Sequence, residues 1–342
     1  MFSINQNIPL VLSLVFVVGG LVALTWSADR FVEAAARLAR AFGVSPLIVG
    51  MVIIGFGTSA PELAVSVLAA LADQSNLSLG NAYGSCTFNL AVILGVTALV
   101  SPIKVKPSVS YLGVPLLLGV TALSYALVRD GAFSRCDGFI LLAAFAVIMP
   151  LYCWFDQVKG GPAKKTDDLE GEAPKREPAR AADFAWLLVG LVVLVLSSHV
   201  LVWGCVDFAR DVLGVSPLLI GLTIVAAGTS LPEFASAIAS ARRHEHEFVI
   251  GNIVGSNLFN TLGVVGVAGS ITPFGNFSPY IVTRDLPVMF AASMLLFVFG
   301  FNWRKPARPG RIYGWEGVLW AFAFVVYLVV MIVQETGAGG AA

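Results

Sequence analysis

Gly57-Thr-Ser-Ala-Pro-Glu62 and Gly228-Thr-Ser-Leu-Pro-Glu233 are one phrase written twice, 171 residues apart, and each copy sets a carboxylate in an apolar stretch. An acidic residue at the centre of a membrane span costs roughly 2.5–3.5 kcal/mol on insertion scales, so such residues usually line an ion or substrate path. Two of them in matching context predict one cation site assembled from two halves. The likeness extends beyond the phrase. Under the same shift, Val44 to Glu62 matches Val215 to Glu233 at 11 of 19 positions. Gly80-Asn-Ala-Tyr-Gly-Ser85 falls on Gly251-Asn-Ile-Val-Gly-Ser256, and Phe88-Asn89 on Phe259-Asn260.

The surroundings of the phrase are those of a membrane protein. The chain is 57% hydrophobic and 12% charged, with a mean hydropathy of +0.85. A soluble surface needs far more charge. Its 21 basic and 21 acidic residues cancel, leaving no basic face for nucleic acid. Ten stretches are long enough to cross about 30 Å of hydrocarbon as helices. They lie near 8–28, 46–72, 79–100, 109–128, 136–155, 184–208, 217–241, 248–270, 286–302 and 314–334. The first has no basic residue before it and no small-residue cleavage site, and reads as a retained span, not a signal peptide. Cys86, Cys136, Cys153 and Cys205 lack paired or metal-type spacing and read as packed small side chains.

Lysine and arginine set the expected topology. With the N-terminus outside, five internal loops hold 17 of the 21, from Arg30, Arg37 and Arg40 through the 303–313 loop, and only Arg129, Arg135, Arg210 and Arg284 face out. The positive-inside rule then puts both termini outside. The expected setting is a prokaryotic inner (plasma) membrane. The polar segment 156–183, rich in Lys, Glu, Pro and Gly, reads as a cytoplasmic linker. It separates a first five-helix half, 1–155, from a second, 184–342. Five is odd, so matching segments must cross in opposite senses. The predicted fold is an all-α membrane protein of ten transmembrane helices in two inverted five-helix repeats, an arrangement common in secondary transporters.

The residue types select the ion. Thr58 and Glu62, like Thr229 and Glu233, stand four apart and share a helix face. Pro61 and Pro232 lack an N–H, so the carbonyls of Gly57 and Gly228 lose their usual helical donor. Freed carbonyls in a membrane helix need internal partners, and a cation is one. Ser85 and Asn89, and Ser256 and Asn260, repeat the spacing of four on the next spans with neutral oxygens. Gly80, Gly84, Gly251 and Gly255 are expected to let helices approach closely. All these donors are hard oxygens, which disfavours zinc or copper. Calcium takes six to eight oxygens, of which two bidentate glutamates supply about half. Two negative charges match one divalent ion or can be shared among several monovalent ones.

At these residues the chain resembles the sodium/calcium exchanger family of the calcium/cation antiporter superfamily, whose α-repeats carry Gly-Thr-Ser-x-Pro-Glu and Gly-Asn-x-x-Gly-Ser. The resemblance covers nearly the whole chain. It implies alternating access, with calcium moving one way and about three sodium ions the other. It also implies a calcium site of Glu62, Glu233 and backbone oxygens at Thr58 and Thr229. One flanking sodium site would comprise Gly55, Thr58, Glu62, Ser85 and Ser230, and its mate Ser59, Ala226, Thr229, Glu233 and Ser256. Asn89 and Asn260 would close the centre. Two departures stand out: Cys86 and Thr87 follow Ser85 where the second copy has Asn257, and Asn260 stands where some potassium-dependent relatives carry Asp.

Other polar residues read as structural. His244-Glu-His-Glu247 reads as a solvated turn, His199 as hydrogen-bonded within the bundle, and Asp29 and Asp207 as span-end residues met by water or arginine. The nearest rival is a proton/calcium exchanger, because a glutamate held in lipid acquires a proton through desolvation. A passive cation channel is a further alternative, but channels often repeat their ligand rings across subunits, whereas both halves of this site lie in one chain. Neither a nucleophile–base pair nor a cofactor motif is visible, so neither an enzyme nor a cofactor is expected. The expected partners are Ca2+, Na+ and the lipid bilayer, with no nucleic acid and no obligate protein partner.

Overall fold

The computed structural model describes residues 10–160, 181–211, 226–275 and 277–339. Within them the chain is mostly helical: α1 (Leu10–Phe42), α2 (Pro46–Thr58), α3 (Ala60–Leu71), α4 (Ser75–Val100), α5 (Val109–Val128), α6 (Arg135–Gly160), α7 (Ala181–Asp211), α8 (Ala226–Thr229), α9 (Leu231–Arg242), α10 (His246–Ile271), α11 (Ile281–Gly300) and α12 (Gly314–Gly339). Eight described helices are long and apolar enough to cross a membrane, and α2 with α3, bent by 45° at their junction, is so as a pair. The expected seventh span begins in 217–225, outside the described residues, and most of the linker lies outside them too.

Helix ends depart from the expectation in two places. The first helix runs on to Phe42, so Arg30, Arg37 and Arg40 lie on it and not in a loop. Glu33 pairs with Arg30 at i,i+3 and with Arg37 at i,i+4, the spacing at which helical side chains meet. At the linker, α6 continues to Gly160 and α7 starts at Ala181, so Asp156 and Asp183 are helical. Both are buried; Asp156 accepts from Ser108 at 3.1 Å and Asp183 from Arg37 at 3.5 Å.

Contacts sort the loops onto two ends of the bundle. One end gathers the ends of α1 and α6, the start of α7, and the turn after α9, through Arg37–Asp183, Ser108–Asp156, Arg40–Glu245 at 3.5 Å and Lys106–Glu247 at 2.7 Å. It also carries an antiparallel ribbon, β1 (Ile103–Val105) on β4 (Gly310–Ile312). The other end carries β2 (Ala132–Phe133) on β3 (Phe274–Gly275) and the Asn76 side-chain oxygen accepting from the Ser278 amide. There too Arg284, at the head of α11, donates to Gln334 near the far end of α12.

Two layers of packing follow. α1 and α7 run antiparallel, with the α1 chain passing close to Gly190 and Gly204. Their apolar cluster, built on Phe31, Val32, Leu194 and Leu201, also takes in Val49, Ile54 and Phe248. The larger cluster surrounds α4, α5, α10 and α11. An apolar window of α10 is 94% buried inside the protein and that of α4 67%, against 22% for α6 and α12. The two central helices are therefore α4 and α10, which carry the Gly-Asn-x-x-Gly-Ser copies.

Candidate functional site

Each Thr-Ser-x-Pro-Glu phrase breaks its helix at the serine. Ser59 (φ −84°, ψ 9°) and Ser230 (φ −88°, ψ 8°) leave helical geometry, and Pro61 and Pro232 sit in the first turn of the helix that restarts. Proline is tolerated there because its missing N–H would be unpaired anyway. Glu62 and Glu233 fall in that same first turn, where the open amide end of a helix favours negative charge. The sequence thus builds two half-helices, each with a carboxylate at its N-terminus.

The serines cross over. Ser230 Oγ donates to Glu62 Oε1 at 3.0 Å, and Ser59 Oγ donates to Glu233 Oε1 at 2.7 Å. Ser85 Oγ reaches the same Glu62 oxygen at 3.5 Å. Each carboxylate is therefore held by the hydroxyl of the opposite copy. Ser256, which the shift pairs with Ser85, instead donates to the Gly55 carbonyl at 3.1 Å. Gly55 and Ser256, assigned by resemblance to different sodium sites, are bonded to each other here. Thr58 Oγ1 donates to its own helix at Ile54 O (2.9 Å) and lies 3.4 Å from Asn252 Oδ1. Thr229 closes the α8 turn that Ala226 opens. The Gly228 carbonyl, expected to be free beneath Pro232, accepts from Ser198 Oγ at 3.0 Å and keeps one lone pair for another partner.

Two asparagines not singled out from sequence complete the frame. Asn81 Nδ2 donates to the Glu62 carbonyl (3.0 Å) and Ser66 Oγ (2.9 Å); Asn252 Nδ2 donates to the Glu233 carbonyl (3.1 Å) and Ser236 Oγ (3.0 Å). Their signal is present in the chain, since both belong to the repeated Gly-Asn pair. In the middle, Asn89 Nδ2 donates to Asn257 Oδ1 at 3.2 Å, and Asn257 Nδ2 donates to the Cys86 carbonyl at 3.2 Å. Cys86 and Asn257, which occupy equivalent positions of the two copies, thus face each other. Asn89 and Asn260 also stand in π-helical turns, Asn89–Ile93 and Phe259–Val264, a widened geometry frequent at functional sites.

What remains unpartnered is informative. Glu62, Glu233, Asn89 and Asn260 are at most 1% exposed. Glu62 Oε2, Glu233 Oε2, Asn89 Oδ1 and both polar atoms of Asn260 have no hydrogen-bond partner. Buried polar atoms are usually paired; Ser45 Oγ, Thr97 Oγ1, Tyr152 Oη and Trp320 Nε1 also lack a partner here, but none of these is a carboxylate or amide. Four orphaned oxygens, two of them carboxylate, fit a hard cation.

Close packing holds the frame. A Cβ on Gly255 would stand 2.4 Å from the Met51 carbonyl oxygen, and one on Gly251 2.5 Å from that of Leu47, so α10 meets α2 backbone to backbone. For Gly80 and Gly84, expected to act likewise, no described atom lies within 4 Å of that position.

The remaining expectations fare unevenly. His199 is exposed and bonds its own helix at Val195 O (2.8 Å), not the bundle interior. The 244–247 turn is ion-paired to Arg40 and Lys106 instead of simply solvated. Arg243 meets the backbone carbonyl of Asp29 at 3.3 Å. The side chain of Asp207 is outside the described set. Cys86 is buried, Cys153 and Cys205 half-buried and Cys136 exposed.

Known proteins resemble this chain over most of its length. The family described as sodium/calcium exchanger protein matches residues 12–154 and 182–333. The chain is 38% identical over 313 residues to the putative antiporter CaxA of Alkalimonas amylolytica, covering 92% of this chain and 96% of that one. It is 36% identical to the inner membrane protein YrbG of Escherichia coli (strain K12), covering 94% and 97%. Among solved structures, the sodium-calcium exchanger NCX_Mj soaked with Na+ and Sr2+ superposes with a TM-score of 0.78 at 29% identity, covering 94% and 99%.

Proposed function

The chain belongs to the sodium/calcium exchanger protein family, and from that premise we propose that it is a secondary active antiporter exchanging Ca2+ for Na+ by alternating access. The observation that carries this reading is the set of buried, unpartnered oxygens on Glu62, Glu233, Asn89 and Asn260. In this reading calcium takes Glu62 and Glu233, with backbone oxygens at Thr58 and Thr229. Sodium takes Gly55, Thr58, Glu62, Ser85 and Ser230 on one side, and Ser59, Ala226, Thr229, Glu233 and Ser256 on the other. Asn89 and Asn260 border the centre. The crosswise serines support it, since hydroxyl oxygens beside a carboxylate are useful to sodium and redundant for protons.

The proposed architecture is ten spans in two inverted repeats with both termini outside, in the inner (plasma) membrane. Three features support it: the 171-residue register, the sorting of loops to two ends, and the gathering of basic residues at the linker-bearing end. An empty site holding two ionised carboxylates in low dielectric is costly. That cost discourages conversion of the unloaded carrier and couples the two fluxes.

The test is calcium flux in sealed vesicles under an imposed sodium gradient. Uphill calcium movement driven by trans-side sodium is expected, which a channel cannot perform. Calcium movement that ignores sodium and follows an imposed proton gradient would replace sodium by protons in this reading.

A further inference from the structure

Five described cations at the linker-bearing end are neutralised by carboxylates. Arg30, Arg37 and Arg243 pair with Glu33, Arg37 also with Asp183, Arg40 with Glu245, and Lys106 with Glu247. The β1–β4 ribbon breaks this pattern. Lys104 stands directly opposite Arg311 in the antiparallel register. Ile103, Val105 and Ile312 are buried, so alternation sends both cations to the same exposed face. Like charges directly opposite destabilise a strand pair. Among the described residues no carboxylate pairs with either: Glu247 holds Lys106, and Glu316 accepts from the Tyr313 amide at 2.7 Å.

The approach to β4 adds three exposed cations, Arg304, Lys305 and Arg308, and there is no acidic residue from 286 to 315. This segment is an ordered turn. Asn302 Nδ2 donates to the Pro309 carbonyl at 3.1 Å, Asn302 Oδ1 accepts from the Lys305 amide at 3.0 Å, and the Arg308 amide donates to the Lys305 carbonyl at 2.8 Å. Trp303 and Trp315 flank it, 62% and 64% exposed. Tryptophan is enriched at the level of lipid headgroups, where an apolar ring meets water. The cluster is therefore held where the phosphates of a leaflet lie.

We propose that the β1–β4 ribbon is a binding site for an anionic phospholipid, whose headgroup phosphate bridges Lys104 and Arg311 with Arg304, Lys305 and Arg308 around it. Arginine suits phosphate through paired N–H donors and lysine as a point charge. The bound lipid relieves the cross-strand repulsion and so fastens the loop after α4 to the loop before α12. The flanking tryptophans select a lipid over a soluble phosphate. Nothing in this inference depends on which ions are exchanged.

The test uses the full chain in nanodiscs of phosphatidylcholine alone or with phosphatidylglycerol, at fixed salt, read by thermal unfolding. The wild-type midpoint is expected to rise by a few degrees with phosphatidylglycerol. Lys104→Glu gives Arg311 a cross-strand carboxylate, so its midpoint should be high in both lipids and no longer respond. Arg242→Gln, an exposed cation outside the ribbon, should keep the wild-type response. An absent wild-type response would overturn the proposal, as would a full response in Lys104→Glu or an equal loss in Arg242→Gln. If inorganic phosphate raises the midpoint equally in phosphatidylcholine discs, the lipid is rejected as occupant.

Discussion

Glu62 and Glu233 each have one oxygen bonded to a serine from the opposite copy of the repeat and one with no partner. Replacing either by glutamine keeps the shape and removes a charge from a divalent site. Removing one partner of a buried charge pair costs about 3–5 kcal/mol, which is more than about 100-fold in binding. Glu62→Gln is therefore expected to lose calcium transport at saturating calcium, and robust exchange by that variant would refute the assignment. Ser256 is a milder case. It offers one neutral oxygen and donates to the Gly55 carbonyl. A single neutral hydrogen bond is worth about 1 kcal/mol, so Ser256→Ala should raise the sodium concentration needed for half-maximal exchange by roughly 5-fold. Calcium affinity should change less, and the opposite pattern would move Ser256 into the calcium site. The doubled phrase and its fixed spacing make these residues legible in the sequence. Asn81 and Asn252 carry the repeated Gly-Asn signal, but spacing along their own helix does not show that their amides bond the Glu62 and Glu233 carbonyls of a neighbouring one.

Helices bring these residues together through one close contact. Gly255 lies against the Met51 carbonyl oxygen with no room for a Cβ, so Gly255→Ala must push α10 off α2. Overpacking of this kind costs about 1–3 kcal/mol. A lower thermal midpoint is expected, with weaker calcium protection against unfolding. Gly119→Ala on α5, where nothing lies within 4 Å, should leave both unchanged; equal effects would remove the contact from the argument. At this scale the sequence is partly blind. The π-helical turns at Asn89 and Phe259 add one residue to a turn, too little to disturb an apolar pattern. The length of α1 is hidden when Arg30, Arg37 and Arg40 are read as loop charges, although the i,i+3 and i,i+4 spacing from Glu33 marks them as helical.

For the whole molecule, the charge moved per cycle is the decisive quantity. Asn89 and Asn260 are neutral, so the fixed charge of the proposed core is that of Glu62 and Glu233. Calcium cancels this −2, whereas three sodium ions leave about +1, and each elementary charge crossing the full field is worth about 2.3 kcal/mol per 100 mV. In vesicles loaded with sodium and clamped by a potassium ionophore, interior-positive potential should accelerate calcium uptake, because net positive charge leaves. Acceleration by interior-negative potential would reject three-for-one exchange, and indifference would favour an electroneutral ratio. The two strand ribbons carry a different consequence. β1 and β2 both come from the first half and β3 and β4 from the second, yet every described strand is paired across the halves. A half expressed alone would present two bare strand edges and a carboxylate without its serine. Halves 1–160 and 181–342 made as separate polypeptides should therefore find each other and co-purify. The two ribbons thus act as staples, because each half carries the partner strand that the other lacks.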